Sequence, residues 1–383
     1  MIGWFLREAF GSGHRSLRMR FAGCNWYNKN RDAGRRKQTR ENIGGMSKNE
    51  PELQSIAAKR AESQRPYTFN GQAIVDDPRL GGMYRAKAQA TLADLKDLSR
   101  KGVLFSPFLE IGAGSVQRSA ALINNYPAEG AATDISQKSL LTAPYILAVL
   151  KYDRAPMLIS CDCHHIPFLP NTFQFVFAYR SLHHFNNPAP VLAECYRILA
   201  KGGHLFFNEE PMDSSLRRRL RGKRLLTKPP TPMQKLAQRF GLEKVFWDDG
   251  KMERSLGMTS ARFGIELWRT ALAPYRIVDM EVNSRLKMHS DLNQPAAPAF
   301  LSSFVGGNVR GLCVKKDGEA AQGDFRERLM CLDCSTAMLS PMSEAGITCH
   351  NCQRNYPVAE GVIRMLPRQL EAELYPGATT GMW

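Results

Sequence analysis

The chain has 383 residues, 43% hydrophobic and 23% charged, with a mean hydropathy of -0.34. That balance excludes a collagen, a disordered tail protein and a membrane bundle, and the length suffices for roughly two or three domains with a real core. The net charge of +16 sits in two places: +7 within residues 1–45 and +9 within 214–240, so the remainder is neutral and the body is not a general polyanion binder.

Residues 1–45 are rich in Arg, Asn and Gly and show no period. The opening apolar run is too short for a secretory signal. A transit peptide, a basic nucleic-acid arm and a plain extension compete. Met46-Ser47-Lys48 resembles a natural start, which favours an extension or a misassigned start. Residues 46–100 form an N-terminal helical segment. In it, Ala88, Leu92, Leu95 and Leu98 have helical spacing over Tyr84–Leu98.

Strands and helices then alternate. Strands are expected at Phe108–Ile111, Ala131–Thr133, Met157–Ser160, Phe175–Tyr179 and His204–Asn208. Helices are expected after the first, over Ser136–Leu150, and from Pro190 to Leu199. This alternation predicts an α/β fold with a parallel, doubly wound sheet. Ile277–Val282 and Val309–Val314 have no obvious long helix between them, which predicts an antiparallel hairpin at the sheet edge. No apolar run reaches the roughly 20 residues of a membrane span.

The turn Gly112-Ala113-Gly114-Ser115 follows a buried strand and opens a helix. Small residues there admit a close ligand, and the helix start offers free N–H groups. Glycines for packing alone are the bland reading. The second strand ends in Asp134 and the third leads to Asp162-Cys163. Such acids accept hydrogen bonds from a ribose and an adenine amino group, or simply cap helices.

Near the ends of the fourth and fifth strands stand Tyr179, Arg180, His183, His184, Asn208, Glu209 and Glu210. A neutral His could take a proton from a hydroxyl or amine, and a Glu could bind a cation. The bland reading is that one of the two His residues packs and the other is solvated. Residues 214–240 carry Arg217–Arg219, Arg221, Lys223 and Arg224 interleaved with Leu216, Leu220, Leu225 and Leu226. They read as a basic lid or insertion over the site.

Of nine cysteines, four form Cys331-x2-Cys334 and Cys349-x2-Cys352, 14 residues apart. Two such knuckles suit a tetrahedral, structural zinc site; two disulfides or an iron site are the alternatives. An odd total with one cluster points to a reducing, cytoplasmic setting.

Residues 105–211 resemble the type-11 family of class I S-adenosylmethionine-dependent methyltransferases. The matching motifs are Leu109–Ser115, Ala132-Thr133-Asp134, Asp162–Phe168, Asn171–Val176, Ser181–Phe185 and Glu194–Leu205. The resemblance implies a Rossmann-like sheet of seven strands with a reversed last strand, over residues 101–318. It implies that Glu110, Gly112 and Gly114 line the methionine end of the cofactor. Asp134 would hold the ribose, Asp162 and Cys163 the adenine, and Ile135 and Tyr179 would also bind the cofactor. His183, His184 and Glu209 are the catalytic candidates. Two positions depart from the family: Val116 replaces a third glycine, and Gln174 replaces an Asp.

Residues 328–367, ending Tyr356–Pro367, resemble the small zinc-ribbon family that activates RNA and protein methyltransferases. The ribbon domain is set at 325–370, with a tail over 371–383. The leading expectation is a methyltransferase acting on an O or N atom of a small-molecule or glycan-type acceptor. The alternatives are an RNA or protein methyltransferase and a non-catalytic interaction protein.

Overall fold

The computed structural model describes residues 68–69, 72–73, 78–212, 263–283, 289–291, 307–321, 323–337 and 346–375. The expected extension at 1–45 and the basic segment at 214–240 lie outside them. All described residues belong to one compact unit, Leu53–Trp383.

After a short hairpin, β1 (Thr68–Phe69) and β2 (Gln72–Ala73), helix α1 spans Pro78–Arg100. Next come β3 (Phe108–Ile111), α2 (Gln117–Asn125), β4 (Gly130–Asp134), α3 (Gln137–Leu140) and α4 (Ala143–Leu150). The single helix expected over Ser136–Leu150 is thus two. Pro144 lacks the N–H that would bond back to Leu140, so the helix restarts. Strands β5 (Met157–Ser160) and β6 (Phe173–Tyr179), helix α5 (Ala189–Ile198) and strand β7 (Leu199–Met212) follow. Helix α6 (Ile265–Ala271) precedes β8 (Arg276–Asn283), β9 (His289–Asp291) and β10 (Gly307–Val314). The C-terminal region adds β11 (Ile347–Thr348), β12 (Asn355–Tyr356), β13 (Val358–Ala359), β14 (Val362–Arg364) and helix α7 (Arg368–Leu374).

The main sheet runs β13-β14-β5-β4-β3-β6-β7-β10-β8-β9. Its middle seven strands, β5 to β8 in that order, form a doubly wound sheet. β10 is the reversed one, antiparallel to both β7 and β8. The β8/β10 pair was expected as an edge hairpin. The pair is antiparallel, with β10 between β7 and β8, and β9 extends the edge beyond β8. Gly311 lets β10 approach β7 closely: a Cβ there would sit 2.3 Å from the Phe207 ring. Phe207 in turn stacks on Trp268 of α6 at 4.9 Å, both fully buried.

At the other edge the cysteine-bearing segment becomes part of the sheet. β14 pairs in parallel with β5, in the register Val362↔Leu158, Ile363↔Ile159 and Arg364↔Ser160. The Met365 N–H continues the ladder to the Ser160 carbonyl at 2.8 Å. A second seam joins Leu329 to Phe168, with the Leu169 N–H donating to the Arg328 carbonyl at 2.9 Å. An exposed sheet edge is an unpaired row of donors and acceptors, and here the chain covers its own. Among the described residues no helix is long and apolar enough to cross a membrane.

Candidate functional site

β3 delivers its chain into the turn before α2. Gly112 and Gly114 take φ of 61° and 53°, which glycine adopts without strain. A Cβ on Gly112 would lie 2.5 Å from that of Ser181, so this turn also packs on the loop after β6. Val116 has φ 55° and is fully buried. The geometry explains why a glycine suits this position. A β-branched residue there carries strain on the order of 1–3 kcal/mol, held by its surroundings.

Asp134, at the end of β4, ties the crevice together. Its Oδ2 accepts from the Gly114 N–H at 2.8 Å and its Oδ1 from the Ser136 N–H at 2.9 Å. Ile135 follows it, half-buried. Glu110 sits beneath the turn, where its Oε2 accepts from the Ser119 N–H at 2.9 Å. Burial pushes its pKa up to about 7. Glu110 thus supports the turn from inside the core. Gln117 Oε1, at the start of α2, is buried without a hydrogen-bond partner among the described residues.

After β5, Asp162 Oδ1 accepts from the His164 N–H at 3.0 Å and meets the ring Nδ1 at 2.8 Å. Burial opposes its charge, but His164 holds its pKa below the ordinary value. Cys163 is buried, which raises its thiol pKa well above the usual range.

Tyr179 is buried at the end of β6. Its hydroxyl donates to Asp94 of α1 at 2.9 Å, and Asn208 donates to the same carboxylate at 2.9 Å. The Arg118 guanidinium stacks on the Tyr179 ring at 3.7 Å. Arg118 also donates to Thr91 at 3.1 Å and pairs with Glu209 at 3.3 Å. Lys87, Thr91, Asp94 and Arg118 were missed in the sequence. The signal was present: 87, 91 and 94 share a helix face at i, i+4 and i+7 spacing.

His183 and Glu210 are both buried, with His183 Nδ1 and Glu210 Oε2 at 2.9 Å. Glu210 also accepts the N–H groups of Ser181, Leu182 and His183. His184 is half-buried, its ring 4.1 Å from that of His183. Arg180 is exposed at the end of β6.

The Sγ atoms of Cys331, Cys334, Cys349 and Cys352 all lie within 4.8 Å of one another. Cys331–Cys352 and Cys334–Cys349 are each 3.5 Å apart. A tetrahedron with Zn–S of about 2.3 Å has edges of about 3.8 Å. The two knuckles share one geometry. Ser335 and Gln353, the residues after the second cysteine of each, take φ of 57° and 59°. Their N–H groups donate to Cys331 and Cys349 carbonyls at 2.8 and 2.9 Å. The Tyr356 hydroxyl accepts from the Leu332 N–H at 2.8 Å and lies 3.3 Å from Cys331 Sγ.

Comparison with known proteins places this geometry in context. Residues 109–207 match the family described as a methyltransferase domain. Demethylmenaquinone methyltransferases of Chlamydia trachomatis serovars L2 and D are 31% identical over 99 residues, which is 25% of this chain and 41% of theirs. The chain therefore spans under half the length of these curated relatives. Among solved structures, geranyl diphosphate C-methyltransferase from Streptomyces coelicolor is 10% identical, covers 69% of this chain and 98% of its own, and has a TM-score of 0.39. The Haloferax volcanii Trm112 methyltransferase activator complex with a methyltransferase gives 15% identity, 61% and 98% coverage, and a TM-score of 0.36. The family match runs from the last strand residues before the glycine turn into β7, and it contains Glu110, Gly112, Gly114, Asp134, Asp162 and Tyr179.

Proposed function

We propose that the chain is an S-adenosylmethionine-dependent methyltransferase acting on an O or N atom of a small-molecule or glycan-type acceptor. The observation that supports it best is the junction of Asp134 with the Gly114 N–H at 2.8 Å. It sets a carboxylate beside a glycine turn at a helix start, a donor and acceptor set suited to a ribose and an amino-acid end. Gln117 Oε1 adds a buried acceptor that still needs a donor. The family match over residues 109–207 supports the same reading.

Bound in this crevice, the cofactor supplies an electrophilic methyl group, and displacement needs alignment more than a dedicated base. Gly112 and Gly114 admit the ligand backbone, and Asp134 orients it. Glu210 pins the Ser181–His184 turn on the acceptor side. His184 and Glu209 stay as candidates to hold or take the acceptor proton.

The four thiolates suit a structural Zn²⁺, since all four positions are filled and none is left for water. Held there, the ion would fix the two knuckles and the strand that follows them. A reducing, cytoplasmic setting fits this reading.

Calorimetry with S-adenosylhomocysteine tests the proposal. Micromolar binding by the full chain, lost in Asp134→Ala, is the expected result. A folded wild-type chain that ignores the nucleoside at millimolar concentration would refute it.

A further inference from the structure

The four clustered cysteines differ in what can reach them. Cys331 and Cys349, which open the two knuckles, are fully buried. Cys334 is half-buried and Cys352 is exposed, so each knuckle presents one sulfur outward. Cys161, Cys163, Cys195 and Cys313 are buried. Among the described residues, an oxidant in solvent therefore meets Cys352 first and Cys334 next.

Close approaches run between the knuckles. Cys352 lies 3.5 Å from buried Cys331, and Cys334 lies 3.5 Å from buried Cys349. Each outward sulfur thus has an inward sulfur of the other knuckle as a neighbour. The Thr336 hydroxyl bridges the second pair, 3.0 Å from Cys334 Sγ and 3.7 Å from Cys349 Sγ. Each knuckle is also closed by its own backbone bond, from the Ser335 N–H to Cys331 and from the Gln353 N–H to Cys349. An S–S bond is about 2.05 Å long, so joining either pair takes a closure of about 1.5 Å. Side-chain movement supplies that, and the backbone bonds can stay.

We propose that Cys352 and Cys334 are sites of oxidation by a hydroperoxide, and that Cys331 and Cys349 resolve them into two crossed disulfides, Cys331–Cys352 and Cys334–Cys349, in exchange for the bound Zn²⁺. This rests on the zinc reading above and extends it. The Cys352 thiolate attacks a peroxide oxygen: the S–O bond forms, the O–O bond breaks, and hydroxide takes a proton and leaves as water. The Cys331 thiolate then attacks the sulfenic sulfur: the S–S bond forms, the S–O bond breaks, and a second hydroxide leaves as water. Two thiolates lose two electrons, and one hydrogen peroxide becomes two waters. The same steps at Cys334 and Cys349 consume a second peroxide. Disulfide sulfurs are no longer thiolate ligands, so the knuckles give up the ion. Crossed links hold the two knuckles together in its place, whereas a link inside either knuckle would not. β14, which follows the second knuckle, therefore keeps its place on β5.

The test treats the full, zinc-loaded chain with hydrogen peroxide and maps its disulfides by mass spectrometry. A chromogenic chelator counts the zinc released, and hydrogen exchange is read at Met365, whose N–H bonds to the Ser160 carbonyl. Crossed pairs are expected, with about one zinc freed per two disulfides. Met365 should stay protected, while a reduced chain stripped by chelator loses that protection. A dithiol reductant with added zinc should reverse the change. In Cys352→Ser, Cys331 should remain a thiol while Cys334–Cys349 still forms. Links within a knuckle or between chains, zinc kept after oxidation, or a Cys331 disulfide in Cys352→Ser would overturn the pairing. Protection at Met365 that is lost on oxidation, or equal in the reduced stripped chain, would overturn the disulfides as a replacement for the ion. A reduced chain purified without zinc fails the zinc reading instead. The disulfide map then decides alone: crossed pairs uphold the site, and any other pattern rejects it.

Discussion

Glu210 and His183 form a buried pair: the carboxylate meets the imidazole Nδ1 at 2.9 Å and accepts three successive backbone N–H groups besides. One side chain thus satisfies every donor at the start of the short helix Leu182–His184. A carboxylate that only accepts also fixes the ring tautomer, with hydrogen on Nδ1.

Removing that acceptor should be severe. Glu210→Ala would orphan three backbone donors and a ring nitrogen, each worth roughly 1–3 kcal/mol when buried. Thermal unfolding should show a loss of ten degrees or more, or no folded protein. Glu210→Gln keeps an acceptor but adds an N–H₂ that faces donors. It should be milder in stability and still displace the 181–184 loop. A Glu210→Ala chain as stable as wild type would contradict the role assigned to this carboxylate.

Gly112 makes a second, steric prediction. Alanine there would place its Cβ 2.5 Å from the Ser181 Cβ, in a backbone conformation with φ 61°. Gly112→Ala should weaken S-adenosylhomocysteine binding at least tenfold and lower the melting point. Gly114 has open space at the same construction, so Gly114→Ala bears only the backbone strain. Thermal unfolding of both ligand-free variants should rank Gly112→Ala as the less stable; the reverse order would refute the contact argument.

Glu110 predicts a pH effect. Its folded pKa is raised to about 7 by burial, against an ordinary 4.5. The folded state therefore binds its proton more tightly than the unfolded state does. Stability from this group is greatest below about pH 4.5 and is lost as pH rises to about 7. The loss is on the order of 3 kcal/mol at about 1.4 kcal/mol per unit. Glu110→Gln keeps an acceptor for the Ser119 N–H and cannot ionise. Its melting point relative to wild type should rise between pH 5 and pH 8. A pH-independent difference would show that burial does not shift this carboxyl.

Much of the site could be read in the chain because it depends on local order. The strand ending in Ile111, the glycine turn and Asp134 follow one another within 25 residues, and CxxC knuckles are closed by their own backbone. The rest depends on partners far away in sequence. Nothing local in Val362–Arg364 reveals that it pairs with Met157–Ser160. β10 lies between β7 and β8, with Gly311 against the Phe207 ring, a contact made far apart in the chain. Tyr179 could be picked out by position, but its hydrogen bond to Asp94, 85 residues away in the chain, could not. Val116 is a departure in sequence, and only its φ of 55° shows what the position demands.

The sheet addition joins the cysteine cluster to the nucleotide crevice and gives the last prediction. The second knuckle, at Cys349–Cys352, leads through β12 and β13 directly into β14. β14 lies on β5, and β5 ends two residues before Asp162. Zinc held by the four thiolates would fix the start of that path. Purified chain should carry about one zinc, and its removal by a strong chelator should free the β14 edge. Hydrogen exchange should then quicken at Met365, whose N–H bonds to Ser160, and along Met157–Ser160, with the β3–β4 pair less affected. Cys349→Ser should give the same pattern without chelator. Metal-free protein that keeps full protection at Met365 would show that the strand holds without the knuckles.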